Sequence, residues 1–383
     1  MKSSWDGTRY TSAQVLAHER HDIFERHWIC AGRTKDLSRP GSFLRADAGT
    51  ESVLLVRGRD GELRGLLNLC RHRGARLCVE REGDLGSSLR CMYHGWTYGL
   101  DGRLTGAPHL REVLQEGEGE GRLDLHAVAA EEWLGYAWVS LATAAAPLAE
   151  QMEPQLVHRL GSADALDEYT IDDLVAVDSR IYDVRANWKM IFENFSECYH
   201  CPTLHPELSA ALPHFRTGYG TISGPVGQGA RLADHMTGFS LSGKAAAAPL
   251  PRLSVESHRT FNSVNLWPNT VLVLLPDHVV CFRVEPRAPD RTIVTADWLF
   301  HPQAAAAPGF DPDDAITLLD IANRQDFEAS ERVQLGASSA HFSSVYPPHE
   351  HVIGDFHRWV DDALGTRARS GEPSAVAGER GRT

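Results

Sequence analysis

The sequence predicts an α+β protein: a small all-β domain, then a larger domain of helices and antiparallel strands. Three stretches carry that expectation. Between Gly41 and about Val139 the texture is short β-rich runs, "SVLLVRG", "LRGLLNL" and "LGYAWVSL", broken by "GRDGE", "EGD" and "LDGR" turns. Further on, "TVLVLLPDHVVCFRVEP" and "RTIVTADWLFHP" read as three strands joined by Pro/Asp turns, an antiparallel meander. A long helix follows in "DPDDAITLLDIANRQDFEASERVQLG", with aspartates at its start and Gly336 at its end.

Taken in order, the elements divide the chain into four parts. Residues 1–40 form a helical segment that packs on the larger domain; in "YTSAQVLAHERHDIFERHW", Thr11 or Ser12 caps a helix whose Val15, Leu16, Ile23 and Phe24 recur at near-helical spacing. Residues 41–145 are the β domain, and "ATAAAPLAE" at 142–150 is a linker of small residues and proline. Residues 160–364 are the larger domain, in which "ANWKMIFENFSECYHC" has a helix-like pattern that Pro202 and Pro206 stop. Residues 365–383 are a polar, frayed tail. The "GEGEGR" of 117–122 has no strand before it and no helix after it, so it is an acidic turn rather than a phosphate loop.

Composition narrows the function classes. With 383 residues, 42% hydrophobic and 23% charged, the chain reads as an ordinary globular protein. The opening "MKSSWDGTRY" has no apolar core of a signal peptide, and no later stretch is long and apolar enough for a membrane span, so a cytoplasmic location is expected. A net charge of −13 without a dense Lys/Arg run argues against a nucleic-acid partner, while an acidic surface favours cationic substrates or basic protein partners. Seven cysteines, an odd number, disfavour a disulfide framework and favour metal ligation.

The cysteines and histidines supply a first candidate site. Cys70-x-His72 is followed, after eighteen residues, by Cys91-x2-His94. Zinc accepts two cysteines and two histidines, but its usual pattern keeps like ligands on one arm. Here each arm is mixed, which suits a two-iron cluster with both thiolates on one iron and both imidazoles on the other. Cys78 lies outside the spacing and reads as a small buried apolar residue.

A second candidate lies in "NWKMIFENFSECYHCPTLHPEL", residues 187–208. His200 and His205 are about 140° apart round an ideal helix, so both reach one metal only where the helix breaks, and Pro202 supplies a break. A third ligand is needed, and "NRQDFEASERVQLGASS" offers Asp326, with Asp320, Glu328 and Glu331 as competitors. Glu197 stands three residues before His200, on the same face if the segment is helical. Cys198 and Cys201 read as packing residues, since no thioredoxin-like pattern surrounds them.

"CRHRGARL" and "CMYHGWTYGLDGRL" resemble the cluster loops of the Rieske non-haem iron oxygenases, and "NWKMIFENFSECYHCPTLHPEL" resembles that family's catalytic-iron motif; the likeness runs from "HDIFERHW" to "GDFHRWV". The resemblance implies a Rieske [2Fe–2S] cluster on Cys70, His72, Cys91 and His94, and a larger domain built on a curved antiparallel sheet with helices, of the helix-grip, START-like kind. It implies one mononuclear Fe(II) on His200, His205 and Asp326, a set that leaves positions open for O2 activation. It further implies Glu197 as the carboxylate that bridges an iron-ligand histidine to His94 of a neighbouring copy, and Asn194 as a residue near the iron. An oligomer, a trimer in this family, follows from the same likeness.

As the oxygenase component such a chain takes O2 and receives electrons from a separate reductase of flavin or ferredoxin type. NAD(P)H and flavin would act only through that partner, for the chain has no convincing fingerprint for either. A glutamate in the bridging place looks like the branch acting on quaternary ammonium compounds such as glycine betaine, stachydrine and carnitine, and suggests oxidative N-demethylation. An aromatic box for the cation would draw on Phe261, Trp267 and Trp298, which as readily serve as core aromatics. The runner-up activity is hydroxylation of an aromatic or natural-product ring. A Rieske electron carrier, or a zinc-stabilised binding protein, would leave the second half of the chain without a task.

Overall fold

In "ESVLLVR" successive side chains point to opposite sides of a strand, and all of Ser52–Val56 is buried, so both faces of this strand are covered. The computed structural model describes residues 5–109, 123–218 and 229–365; the acidic turn at 117–122 and the tail from residue 366 lie outside these. The β domain has strands β1 (Ile29–Arg33), β2 (Ser42–Ala48), β3 (Glu51–Arg57), β4 (Leu63–Leu67), β5 (Glu82–Asp84), β6 (Leu89–Arg90), β7 (Thr97–Tyr98), β8 (Leu104–Gly106), β9 (Ala127–Trp133) and β10 (Tyr136–Ser140). They form an antiparallel sheet in the order β1-β10-β9-β4-β3-β2-β5 and a small sheet β6-β7-β8. On β3, Val53 and Leu55 join the core shared with the larger domain, while Leu54 and Val56 join the core under Cys70 and Cys91. One strand thus ties the candidate cluster loops to the rest of the molecule.

The larger domain carries β11 (Val175–Val184), β12 (Ala230–Arg231), β13 (Thr260–Leu266), β14 (Thr270–Leu274), β15 (His278–Ala288) and β16 (Arg291–Phe300). These make a curled antiparallel sheet in the order β11-β16-β15-β14-β13-β12, and the long helix Asp313–Ala337 packs against β11. The α+β class holds, and the meander is β14-β15-β16. Among the described residues no helix is long and apolar enough to cross a membrane.

Local expectations are refined in places. The N-terminal helix runs Ala13–Glu19, capped by Ser12, whose Oγ accepts from Val15 N, and it continues as a π-turn over Arg20–Phe24. The 142–150 linker is shorter than expected, because a helix starts at Leu148 behind Pro147. Gly336 lies inside the long helix, which ends on Ser338.

Two buried contacts fix the layers. Asn269 exchanges hydrogen bonds with the Cys30 backbone, accepting from its N at 2.8 Å and donating to its O at 2.9 Å, which joins β1 to the larger domain. Lys189 Nζ meets Glu19 Oε1 at 2.6 Å with both side chains fully buried, and the Trp188 indole donates to Glu19 Oε2 at 2.8 Å. The N-terminal helix is therefore latched to the helix Trp188–Asn194, from which the second candidate site is built.

Candidate functional site

The two Cys/His loops are closed in the same way. Cys70 N donates to Ala75 O and Gly74 N to Cys70 O, and Cys91 N donates to Trp96 O and Gly95 N to Cys91 O. Each turn requires a residue at positive φ, Gly74 and Gly95 both at 73°, where a side chain would be strained. Cys70 and Cys91 are buried and unbonded, whereas His72 and His94 are exposed with ring centroids 4.5 Å apart. Two sulfurs inside and two imidazoles outside are a donor set that fits a [2Fe–2S] cluster with its histidine edge toward solvent. The Tyr98 hydroxyl lies 3.4 Å from Cys70 Sγ and accepts from Arg71 N at 3.0 Å, and the Trp96 ring stacks on His72 at 5.0 Å. Burial, together with the Cys70 sulfur, pushes the Tyr98 phenol upward, so it stays protonated and available to donate to the sulfur. Cys78 is buried in the same core as Cys70 and Cys91; its backbone N and O are held by Asn68, and burial pushes its thiol up to about 11.

The second set is assembled from two helical regions. The helix Trp188–Asn194 ends before Glu197, so Glu197 and His200 do not share a helix face as expected. Glu197 bends back instead, accepting from Tyr199 N and His200 N with Oε2 and from His200 Nδ1 with Oε1. Nor does Pro202 make the break. It begins a new short helix, Cys201–Leu204, and His205 stands at the joint before the next, Pro206–Ala211. That joint turns His205 toward His200, with ring centroids 5.1 Å apart.

The long helix brings up the acid. Asp326 Oδ1 lies 2.8 Å from His205 Nε2 and 3.3 Å from His200 Nε2, and it accepts from Asn194 Nδ2 at 3.1 Å. Of its competitors, Asp320 is taken by Tyr182 and Arg180, Glu328 by Arg332, and Glu331 by the Arg185 N–H. His205 Nδ1 is held at 2.7 Å by Gln325 Oε1. Since Glu197 and Gln325 both offer acceptor oxygens, each Nδ1 carries the proton and both Nε2 atoms are left as ligands turned to one point. Two imidazole nitrogens and a carboxylate oxygen converging there fit Fe(II). Burial presses His200 down, but Asp326 and Glu197 outweigh it and hold the imidazole up to about 10, so a metal ion takes the Nε2 position by displacing its proton; burial raises Asp326, but the two histidines outweigh it and keep the carboxylate ionised.

Cys201 Sγ also lies within 4.8 Å of the two imidazole nitrogens, but it is bonded to Cys198. The two cysteines are thus a disulfide rather than packing thiols; their Cα atoms, 5.0 Å apart, stand within disulfide reach.

A cavity of about 80 Å³ opens onto this cluster. Its apolar wall includes Phe195, Phe215, Phe261 and Phe282, its polar groups include Asn194, Ser263 and Asn323, and among the described residues no lysine or arginine lines it. Phe261 is where the sequence suggested. Trp267 and Trp298 are not: Trp267 lies past the end of β13 against Phe356 and Trp359, and Trp298 is fully buried in β16 beneath Arg180. Gln325 and the other three phenylalanines were missed. Gln325 was detectable as a polar neighbour of Asp326, but the phenylalanines carried no local signal.

Two family models match the chain: "Rieske [2Fe-2S] domain" over residues 27–118 and "Ring hydroxylating alpha subunit (catalytic domain)" over residues 171–366. The chain is 30% identical to a glycine betaine monooxygenase oxygenase subunit of Chromohalobacter salexigens, covering 95% of this chain and 86% of that protein. It is 32% identical to a carnitine monooxygenase oxygenase subunit of Acinetobacter pittii over 51% of each. Its fold matches the quaternary ammonium Rieske monooxygenase CntA, solved with gamma-butyrobetaine, with a TM-score of 0.71 at 23% identity over 94% of this chain and 95% of that one.

Proposed function

The chain belongs to the ring-hydroxylating alpha-subunit family as the oxygenase subunit of a Rieske system, and from that premise we propose that it oxidatively N-demethylates a small quaternary ammonium compound. The observation that carries this reading is the cavity at the His200, His205 and Asp326 cluster. It is small, its wall carries four phenylalanines, a lining suited to a methylated cation, and among the described residues no lysine or arginine lines it. The likeness to glycine betaine and carnitine monooxygenase subunits points the same way.

In this reading Cys70, His72, Cys91 and His94 hold the cluster, and His200, His205 and Asp326 hold the iron. Bound there, the two centres supply one-electron transfer and O2 activation. The chain's own residues do the rest. Glu197 fixes the His200 tautomer and is placed to exchange its Nδ1 proton; Gln325 fixes the tautomer of His205 by accepting from its Nδ1; Asn194 orients Asp326. The phenylalanine wall keeps water from the reacting methyl group. Insertion of one oxygen atom into a methyl C–H bond gives a carbinolamine that collapses to formaldehyde and the tertiary amine, while the second oxygen leaves as water with two electrons and two protons.

The exposed His72 and His94 offer the cluster to other molecules. They support electron entry from a separate flavin- or ferredoxin-type reductase fed by NAD(P)H. They also support a homotrimer in which His94 of one chain reaches Glu197 and His200 of the next. The test is turnover with a surrogate reductase and NADH on glycine betaine, carnitine, stachydrine and salicylate. Formaldehyde in step with NADH and O2 consumption on one of the first three is expected; ring-hydroxylated product without formaldehyde would move the assignment to ring hydroxylation.

A further inference from the structure

A second pocket, of about 190 Å³, lies between the helix Leu148–Leu160, the end of β13 and the helix His351–Ala363. It is lined by Gln155, His158, Arg159, Asn265, Trp267 and Asp355 among others, and shares no residue with the cavity at the His200 cluster. Two of these residues bring donors with nothing to donate to. Arg159 is 8% exposed; its Nε donates to Ser263 O at 3.1 Å, but its Nη1 is buried without a partner. The Trp267 indole N–H is likewise buried and unpaired, on a ring fixed by Phe356 and Trp359 and by the hydrogen bond from Trp267 N to Gln155 Oε1.

We propose that this pocket binds a small organic carboxylate, gripped by the Arg159 guanidinium and the Trp267 indole N–H. Buried polar groups in folded proteins are nearly always hydrogen-bonded, and two orphan donors on residues that line one pocket mark the place of an acceptor. Water would satisfy the hydrogen bonds but not the charge. Among the described residues no carboxylate is hydrogen-bonded to Arg159, and the one whose charge acts on it, Asp355, is already engaged by His158 at 3.2 Å and by Arg358. Burial pulls the guanidinium down to about 9 against the weaker pull of Asp355, the mark of a buried cation short of a counter-charge. A carboxylate supplies both missing elements, since the planar guanidinium fork matches its geometry. His158 and the exposed His351 stand at the mouth, and Asn265 donates to Ser196 Oγ at 2.9 Å, next to Phe195 and Glu197 of the iron cavity. The site is built independently of the substrate reading above.

Equilibrium dialysis of radiolabelled acetate against the metal-loaded full chain, at constant ionic strength in a chloride-free buffer, tests this. Saturable uptake of about one acetate per chain is expected, weakened about fivefold or more by Trp267→Phe, which removes one hydrogen bond and keeps the ring, and abolished by Arg159→Met. Phe261→Trp, which narrows the iron cavity, leaves it unchanged. Should Arg159→Met fail to fold, the Trp267→Phe comparison still decides. No saturable uptake, equal affinity in wild type and Trp267→Phe, loss in Phe261→Trp alone, or displacement by chloride at equal concentration would each overturn the proposal.

Discussion

Asn194 Nδ2 donates to Asp326 Oδ1 at 3.1 Å, on the same oxygen toward which both ligand histidines turn. The contact spans two helices and sets which lone pairs of the carboxylate face the metal position. Asn194→Ala is expected to weaken Fe(II) retention roughly tenfold while leaving the cluster signal intact, as seen when outer partners of metal ligands are removed. Iron content after dialysis against graded chelator checks this, and unchanged retention would remove Asn194 from the iron site.

Glu197 holds His200 through Nδ1 and at the same time caps two backbone N–H groups. In Glu197→Gln the amide can still accept from one of these donors, but the charge is gone. Both metals are expected to stay while steady-state turnover falls roughly 100-fold, with cluster reduction by the reductase unaffected in stopped flow. Wild-type turnover would exclude the residue from the transfer route.

The Glu19–Lys189 pair is fully buried. Burial presses the Lys189 ammonium down while Glu19 sustains it, so removing the acid strands a charge. Glu19→Gln should cost ~3 kcal/mol, and the double replacement Glu19→Met with Lys189→Met should recover more than half of that. Denaturant midpoints of wild type and the two variants provide the measurement, and a double replacement no more stable than Glu19→Gln would contradict it.

Burial, with the Glu197 carboxylate next in importance and His200 opposing, pushes Glu350 up to about 7. An acid whose folded pKa is raised binds its proton more tightly in the native chain than in the unfolded one. Stability should therefore fall as pH climbs from the ordinary glutamate range, about 4.3, through about 7. Glu350→Gln should flatten that fall in melting temperature; an unchanged slope would show that another group titrates.

How much of this was legible depended on how local the signal was. Cys70, His72, Cys91 and His94 sit in two short loops whose spacing is itself the chemistry, so residues alone were enough to nominate them. His200, His205 and Asp326 are brought together by a joint between short helices and by a helix over a hundred residues away. Spacing nominated the histidines, but choosing Asp326 over Asp320, Glu328 and Glu331 needed the family likeness. The substrate wall was legible only in part, for a physical reason. Period-2 alternation fixes which face of a strand a residue takes, not how far along the strand a cavity extends. Trp267 shares the parity of Phe261 and Ser263 but falls beyond the last residue of β13. Trp298 shares a face with Phe282 through the pairing Phe282↔Ala296, yet lies farther along β16, outside the cavity. Glu197 and His200 met as expected, by a bent chain rather than a helix face.

The most direct test of the central claim, one chain with two separate iron centres, is anaerobic iron analysis with EPR on wild type and Asp326→Ala. Wild type should hold about three iron atoms per chain with a Rieske signal on reduction, and Asp326→Ala about two with that signal unchanged. Equal iron content in the two proteins, or loss of the Rieske signal in the variant, would contradict the assignment.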